Sequence, residues 1–426
     1  MNQRFVCLLA TAALTVLPLT SRAQDTAFVR AIRASSAPFT VANGKLGGPG
    51  ANALARVAQE HQFIMVGEDH GIRELPEFVT ALWEIARPAG YRHFAVEIGP
   101  ITGRRLDTML KSGNGQSKVN DFLGKYTPYT LPFFFWKEET QMLNDVVSKL
   151  PATRDVVWGL DQEFIMSPTY LLERLGEIAP NANARAIASH FIESSSKGEK
   201  AMLSTGNPGA VWMVTATDAD LANLKSAFNA RPGSEAATII EELALSRDIY
   251  GKFNRGRGYE SNQQRADLMK RHFLEFYRAA QARGEKTPKV IVKFGANHVF
   301  RGPSITNSYE LGTFLPEFAI TNNNKAFGIL VVVAKGTWNA FRPFGSKEED
   351  KTQKYDPLST DEYKIFDLKS VLDASGDNTW TFVDLRPIRA MSGSGMGRLD
   401  PLGRRLLNSF DAIVVVPEGH ASVYLR

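Results

Sequence analysis

Only one cysteine, Cys7, occurs among the 426 residues, and it stands inside an amino-terminal apolar run. Disulfides and cysteine-held metals are therefore excluded from the rest of the chain. Gly-x-Ser-x-Gly is absent, which leaves a serine-hydrolase reading without its nucleophile elbow. Also absent are a His-Glu-x-x-His helix and a glycine-rich phosphate loop, the local signatures of zinc peptidases and nucleotide enzymes. No block of about five or more basic residues occurs. The formal net charge is +5, and without Arg4 and Arg22, the only charges in residues 1–23, it falls to +3 (5 − 2). A balance so mild gives no expectation of a nucleic-acid partner. A membrane anchor needs roughly 20 apolar residues. The run from Phe5 to Leu19 is shorter and no stop-transfer pattern follows, so stable membrane insertion is not expected. With Arg4 before it and Ser21-Arg22-Ala23 behind, this run reads as a secretory signal, residues 1–23, cleaved near Ala23, for a periplasmic or secreted protein. There is no internal repeat and no low-complexity tract.

What the chain does contain is one device used repeatedly. Phe63-Ile64-Met65-Val66-Gly67 is a run of strand formers closed by a glycine, followed by Glu68-Asp69-His70-Gly71-Ile72-Arg73 and then a helical pattern over Glu74–Ala86. This spacing predicts strand, polar turn, helix. Residues 93–97 predict a second buried strand, ending in Glu97, which makes the unit β-α-β with parallel strands. Residues 155–161 predict a third strand, with Asp161 at its end and Glu163 close by. Residues 289–298 predict a fourth, closing in Gly295-Ala296-Asn297-His298. Further strands are expected at 327–334, 380–385 and Ala412–Val416. Between the third and fourth strands the pattern is helical, with polar breaks at 194–200 and 204–208, and reads as a helical insertion over about 167–283 that caps one edge of the sheet. Residues 35–50, the basic stretch 251–258 and the charged stretch 343–363 read as loops. Phe133-Phe134-Phe135-Trp136, behind Pro132, either plug the core or line an apolar pocket. The expected fold class is α/β: a mostly parallel central sheet flanked by helices, in a single catalytic-type domain over 24–426.

Parallel strands bring their carboxyl ends to one rim, where ligands usually bind. That rim would collect Glu68, Asp69 and His70, then Glu97, then Asp161 with Glu163, then His298. Two of the seven histidines stand three residues after a glycine that closes a strand. Two imidazoles and several carboxylates on one rim suit general acid/base catalysis or a metal ion. A histidine there would activate water or a substrate hydroxyl, with a carboxylate fixing its tautomer. Arg73 is placed to hold an anionic substrate group or an oxyanion, and is equally unremarkable as an exposed residue of a helix's first turn. His61, His93, His190, His272 and His420 show no such placement and read as structural or exposed. The expected partner is a small molecule.

These motifs resemble those of the erythromycin esterase-like superfamily, which also takes in the ChaN-type haem-binding proteins and the TraB/Tiki proteins. The resemblance is carried by Gly67-Glu68-Asp69-His70-Gly71 with Arg73-Glu74, by Glu97, by Asp161, by Gly295-Ala296-Asn297-His298, and by Arg265-Ala266-Asp267-Leu268-Met269, which is similar to a helix in the esterases' insertion. It covers about residues 50–320 and extends to the strand near Asp411. It implies a cleft where His70 or His298 acts as general base on water while Glu68 and Glu97 orient or polarise, with Arg73 among the catalytic groups and Asp161 and Arg265 on the substrate side. The esterases open macrolide lactones without a metal. The Tiki branch is a metal-dependent peptidase and the ChaN branch binds haem, so a divalent metal or haem is the alternative cofactor, held by Glu68, His70, Glu97 and His298. The chain departs from the esterases in the short Glu68-Asp69-His70 spacing, and in having no additional histidine at 294–297.

Overall fold

The computed structural model describes residues 27–152, 155–339, 351–376, 378–392 and 399–425. The expected signal, residues 1–23, lies outside them. The strands in chain order are β1 (Ser36–Ala42), β2 (Lys45–Gly47), β3 (Phe63–Glu68), β4 (Tyr91–Val96), β5 (Val157–Gly159), β6 (Lys289–Gly295), β7 (Ala326–Val333), β8 (Gly336–Asn339), β9 (Thr352–Tyr355), β10 (Trp380–Asp384) and β11 (Ala412–Val416). Nine of them form one sheet in the order β2-β1-β10-β11-β7-β3-β6-β4-β5, and β8 with β9 makes a separate ribbon. From β11 to β5 every neighbouring pair is parallel, and the β2-β1-β10-β11 side is antiparallel. The fold is thus the expected α/β class, with an antiparallel flank.

Strands apolar on both faces require cover on both sides. Alternation sends Ile64, Val66, Val96 and Ile291 into one core with helices Glu74–Ala86 and Lys137–Val147. Phe63, Met65, Val290 and Val292 go into the other, with helices Gly258–Ala282 and Leu311–Thr321. The chain leaves a slot between β3 and β4 and fills it with β6, after six helices between Pro168 and Ala282. Three strands distant in sequence therefore end side by side.

Four local expectations are corrected. Residues 35–50 are not a loop, because β1 and β2 form a hairpin through Asn43-Gly44, both at positive φ (51° and 69°). That dipeptide is the strongest short hairpin signal a sequence carries. The polar stretch 194–200 does not break the helix: Ala182–Thr205 is continuous, and the buried Ser195 hydroxyl lies 2.7 Å from that of Thr169, so a tertiary contact overrides weak helix propensity. In 251–258, helix Glu235–Asn254 continues to Asn254 and the next begins at Gly258. Of 343–363, residues 343–350 lie outside those described, but β9 follows and Tyr355 and Tyr363 are buried. Among the described residues no helix is long and apolar enough to cross a membrane.

Candidate active site

Adjacent strands lie about 4.8 Å apart, so the carboxyl ends of β3, β6 and β4 deliver their side chains into one small volume. Glu68 is the last residue of β3 and aligns with Gly295 of β6. Glu97 follows β4 directly, and His298 ends the short turn Ala296–His298 beyond β6. Glu97 is the hub. Its Oε2 lies 3.2 Å from His70 Nε2 and accepts the Gly295 backbone N–H at 2.8 Å. Its Oε1 lies 3.3 Å from His298 Nε2 and accepts an Arg265 Nη2 proton at 3.0 Å. The outer nitrogens are anchored as well: His70 Nδ1 stands 3.1 Å from Glu68 Oε1, and His298 Nδ1 3.2 Å from Glu310 Oε2. A Cβ at Gly295 would stand 3.1 Å from His70 Nε2 and 3.3 Å from Glu97 Oε2, so glycine there lets imidazole and carboxylate meet.

Beneath this layer lies a buried ion cluster that sequence reasoning missed. Lys293, 5% exposed, projects from β6 on the same face as Glu68. Its ammonium donates to Glu68 Oε1 and, at 2.7 Å, to Glu139 Oε1 of helix Lys137–Val147. The second oxygens of both carboxylates are buried without a hydrogen-bond partner among the described residues. Phe133 was likewise hidden among four aromatics. Phe134, Phe135 and Trp136 are in the core, whereas Phe133 turns out at φ 67° and stacks on His70 with ring centroids 3.8 Å apart. A bulky residue in that backbone region is costly and persists only where its surroundings enforce it.

Burial disfavours an imidazolium at both histidines, but neighbouring carboxylates outweigh it. Glu68 and Glu97 lift His70 to about 9, and Glu97 with Glu310, against Arg265, lifts His298 to about 10. Burial also pushes Glu97 towards neutrality, yet the two histidines hold it well below the usual carboxylate range. Glu139, more buried than compensated, is raised to about 6. Both imidazoles therefore exceed the ordinary value of about 6.5. Their pairing stabilises the fold fully below that pH and is lost as pH rises through about 9 and 10. The thermal midpoint is expected to fall on going from pH 7 to beyond 10, and less steeply in His298→Asn; parallel curves for the two proteins would contradict this pairing.

The cleft above the cluster has a volume of about 590 Å³, and Glu68, Asp69, His70, Glu97, Arg265 and His298 all line it. Asp161 does not. It accepts two hydrogen bonds from Arg265, at 2.8 and 2.6 Å, and so aims that guanidinium at Glu97. Arg73 also lies outside the lining, 40% exposed, with its Nε donating to Glu74 Oε1 at 3.2 Å. Glu163 points elsewhere, accepting the Ile101 and Thr102 backbone N–H groups at the start of helix Pro100–Lys111. Asp69 accepts the Tyr355 hydroxyl, and burial raises it to about 6. That bond ties the end of β9 to the cleft, where Trp338 of β8, Gln353 of β9 and Glu362 complete the wall. Every ring nitrogen of His70 and His298 faces a carboxylate, and among the described residues no three His, Asp or Glu side chains converge as ligands of a metal ion. The donors do not fit a metal ion in this arrangement.

No protein-family profile matches the chain. No curated protein matches it either. Three solved structures share the fold. An erythromycin esterase mutant, EreC, in its open conformation is 17% identical with a TM-score of 0.59, over 88% of this chain and 95% of that one. A succinoglycan biosynthesis protein is 14% identical with a TM-score of 0.58, over 94% and 98%. A Bacillus cereus protein is 15% identical with a TM-score of 0.57, over 94% and 99%. At such identities the likeness is one of fold alone, the α/β class with a mostly parallel sheet flanked by helices that the sequence predicts.

Proposed function

We propose that the protein is a hydrolase that activates water against an ester, lactone or amide, with His70 as general base and His298 as general acid. The observation that carries this reading is the single buried carboxylate of Glu97 between two imidazoles, each anchored at its far nitrogen by another carboxylate. His70 is the base because it is the more accessible to water, with 20% of its side chain exposed against 9% for His298. Neutral His70 takes a proton from water at Nε2 as the oxygen adds to the carbonyl carbon. Protonated His298 then gives its proton to the departing alkoxide or amine. Arg265 and the Gly295 N–H keep Glu97 ionised throughout, so the charge separated in the transition state meets fixed partners rather than reorganising water. An erythromycin esterase among the proteins of this fold supports an ester or lactone as substrate. We also propose that the protein works in the periplasm or outside the cell, its amino-terminal apolar run serving as a cleaved leader.

The test is a panel of chromogenic esters, lactones and anilides assayed across pH. Turnover by the wild-type chain is expected, with kcat/KM rising tenfold per pH unit up to about 9, as neutral His70 accumulates, and falling above about 10, as His298 loses its proton. His298→Ala is expected to lose the alkaline limb and at least a hundredfold in rate, in keeping with general-acid contributions of about 10² to 10⁴. No turnover of any panel member, or wild-type rates in His298→Ala, would sink the reading.

A further inference from the structure

A second cleft, of about 700 Å³, opens between helices Pro100–Lys111, Pro168–Glu177 and Glu235–Asn254, and shares no lining residue with the histidine cleft. Its floor is aromatic. Phe122 and Tyr170 are buried, and with Tyr126 they form a cluster whose ring centroids lie 4.8 to 5.8 Å apart. The floor is also held in place: the Tyr170 hydroxyl stands 2.6 Å from that of Thr102, which donates to the buried Glu163 carboxylate. A cleft already shaped needs little ordering when a ligand enters.

The rim carries Arg104, Arg105 and Arg174 against Glu177, Glu235 and Glu275. Arg174 is consumed by two of these, bonding Glu235 at 2.7 and 2.9 Å and Glu177 at 2.8 Å. Among the described residues, Arg104 and Arg105 have no carboxylate within ion-pair distance. Their guanidinium carbons lie instead 5.0 Å from the Phe276 ring centroid and 6.0 Å from that of Phe122. A guanidinium over a ring face keeps its in-plane N–H donors for an anion. Glu275, also without an ion pair among the described residues, weighs against a multiply charged ligand. We propose that this cleft is a second ligand site, for an organic monoanion whose planar apolar ring lies on the aromatic floor while its carboxylate or sulfonate is taken by Arg104 and Arg105.

The experiment titrates the full chain with 1-anilinonaphthalene-8-sulfonate, followed by fluorescence and calorimetry, and with the uncharged N-phenyl-1-naphthylamine as comparison. One saturable sulfonate site per chain is expected. Its affinity should fall at least tenfold in Arg104→Gln/Arg105→Gln, whose exposed side chains can change without unfolding the protein, while the uncharged analogue binds as before. Thr238→Trp, which fills the cleft from its wall, should weaken both. His298→Ala should weaken neither, which separates this site from the proposed chemistry. The inference is overturned by non-saturable binding, by unchanged sulfonate affinity in the arginine variant, or by loss of binding in His298→Ala.

Discussion

Changing His70 to alanine is expected to lower kcat/KM by about a thousandfold, the middle of the range for a positioned acid–base group, while the folded state survives. Both halves follow from the site's layering. Among the described residues the imidazole is the only group that touches both Glu68 and Glu97, so without it the proposed reaction has no base near the Gly295 edge of the cleft. Neither carboxylate is left alone, since Glu68 keeps Lys293 and Glu97 keeps Arg265, His298 and the Gly295 N–H. The cost to folding is then confined to the stack on Phe133 and to partial loss of charge pairing. Activity and thermal midpoint measured on the same preparation separate the two effects. A variant that loses activity only in proportion to its unfolded fraction would show that His70 is structural.

The second large effect is expected in stability. Lys293→Met keeps the unbranched stem and removes the ammonium, leaving Glu68 and Glu139, each 1% exposed, facing one another across the gap. Removing one partner of a buried ion pair typically costs about 3 to 5 kcal/mol, because the remaining charge is stranded away from water. Denaturant unfolding at pH 7.5 should show a loss of that order. Glu139 is already raised to about 6 by burial, and loses its main counterion in the variant. It should therefore take up a proton on acidification, so the deficit of Lys293→Met shrinks near pH 5. Lys293→Met/Glu139→Gln should recover part of it at pH 7.5. A single variant as stable as wild type would mean that the cluster carries no net charge to strand.

How much of this was legible in the chain depends on what each residue signals to its neighbours. The rim that carries the candidate site was legible, because in each case a strand, its closing glycine and a histidine three residues on lie close in sequence and the carboxyl-end rule needs no long-range knowledge. The register that puts Glu68 opposite Gly295 was not, since nothing local says that the strand at 289–295 enters between β3 and β4. Lys293 stood in plain view as a charge amid Val290-Ile291-Val292 and Phe294, an anomaly in a strand buried on both faces. Glu310 gave no signal, being one acid in a turn-rich stretch. Arg265 and Asp161 were both picked out, but as separate contributors to the substrate side; only the packing of helix Gly258–Ala282 against the end of β5 makes them one bidentate pair. Residues 352–363 were read as exposed because their charges dominate, whereas Tyr355 and Tyr363 decide where they go.

The late filling of the slot between β3 and β4 bears on how the protein is made. When a ribosome has delivered β5, the two earlier strands that will flank the cleft still lack the neighbour that joins them, and the mostly helical stretch 160–288 must emerge before it arrives. Until then each offers an unpaired, apolar edge of the kind that recruits other chains. Because closure spans so long a loop, the step should be slow compared with formation of the helices themselves. A nascent chain halted before Lys289 would thus be the species most in need of a chaperone, and the cluster around Glu97, whose carboxylate receives the Gly295 N–H, cannot form before that strand arrives.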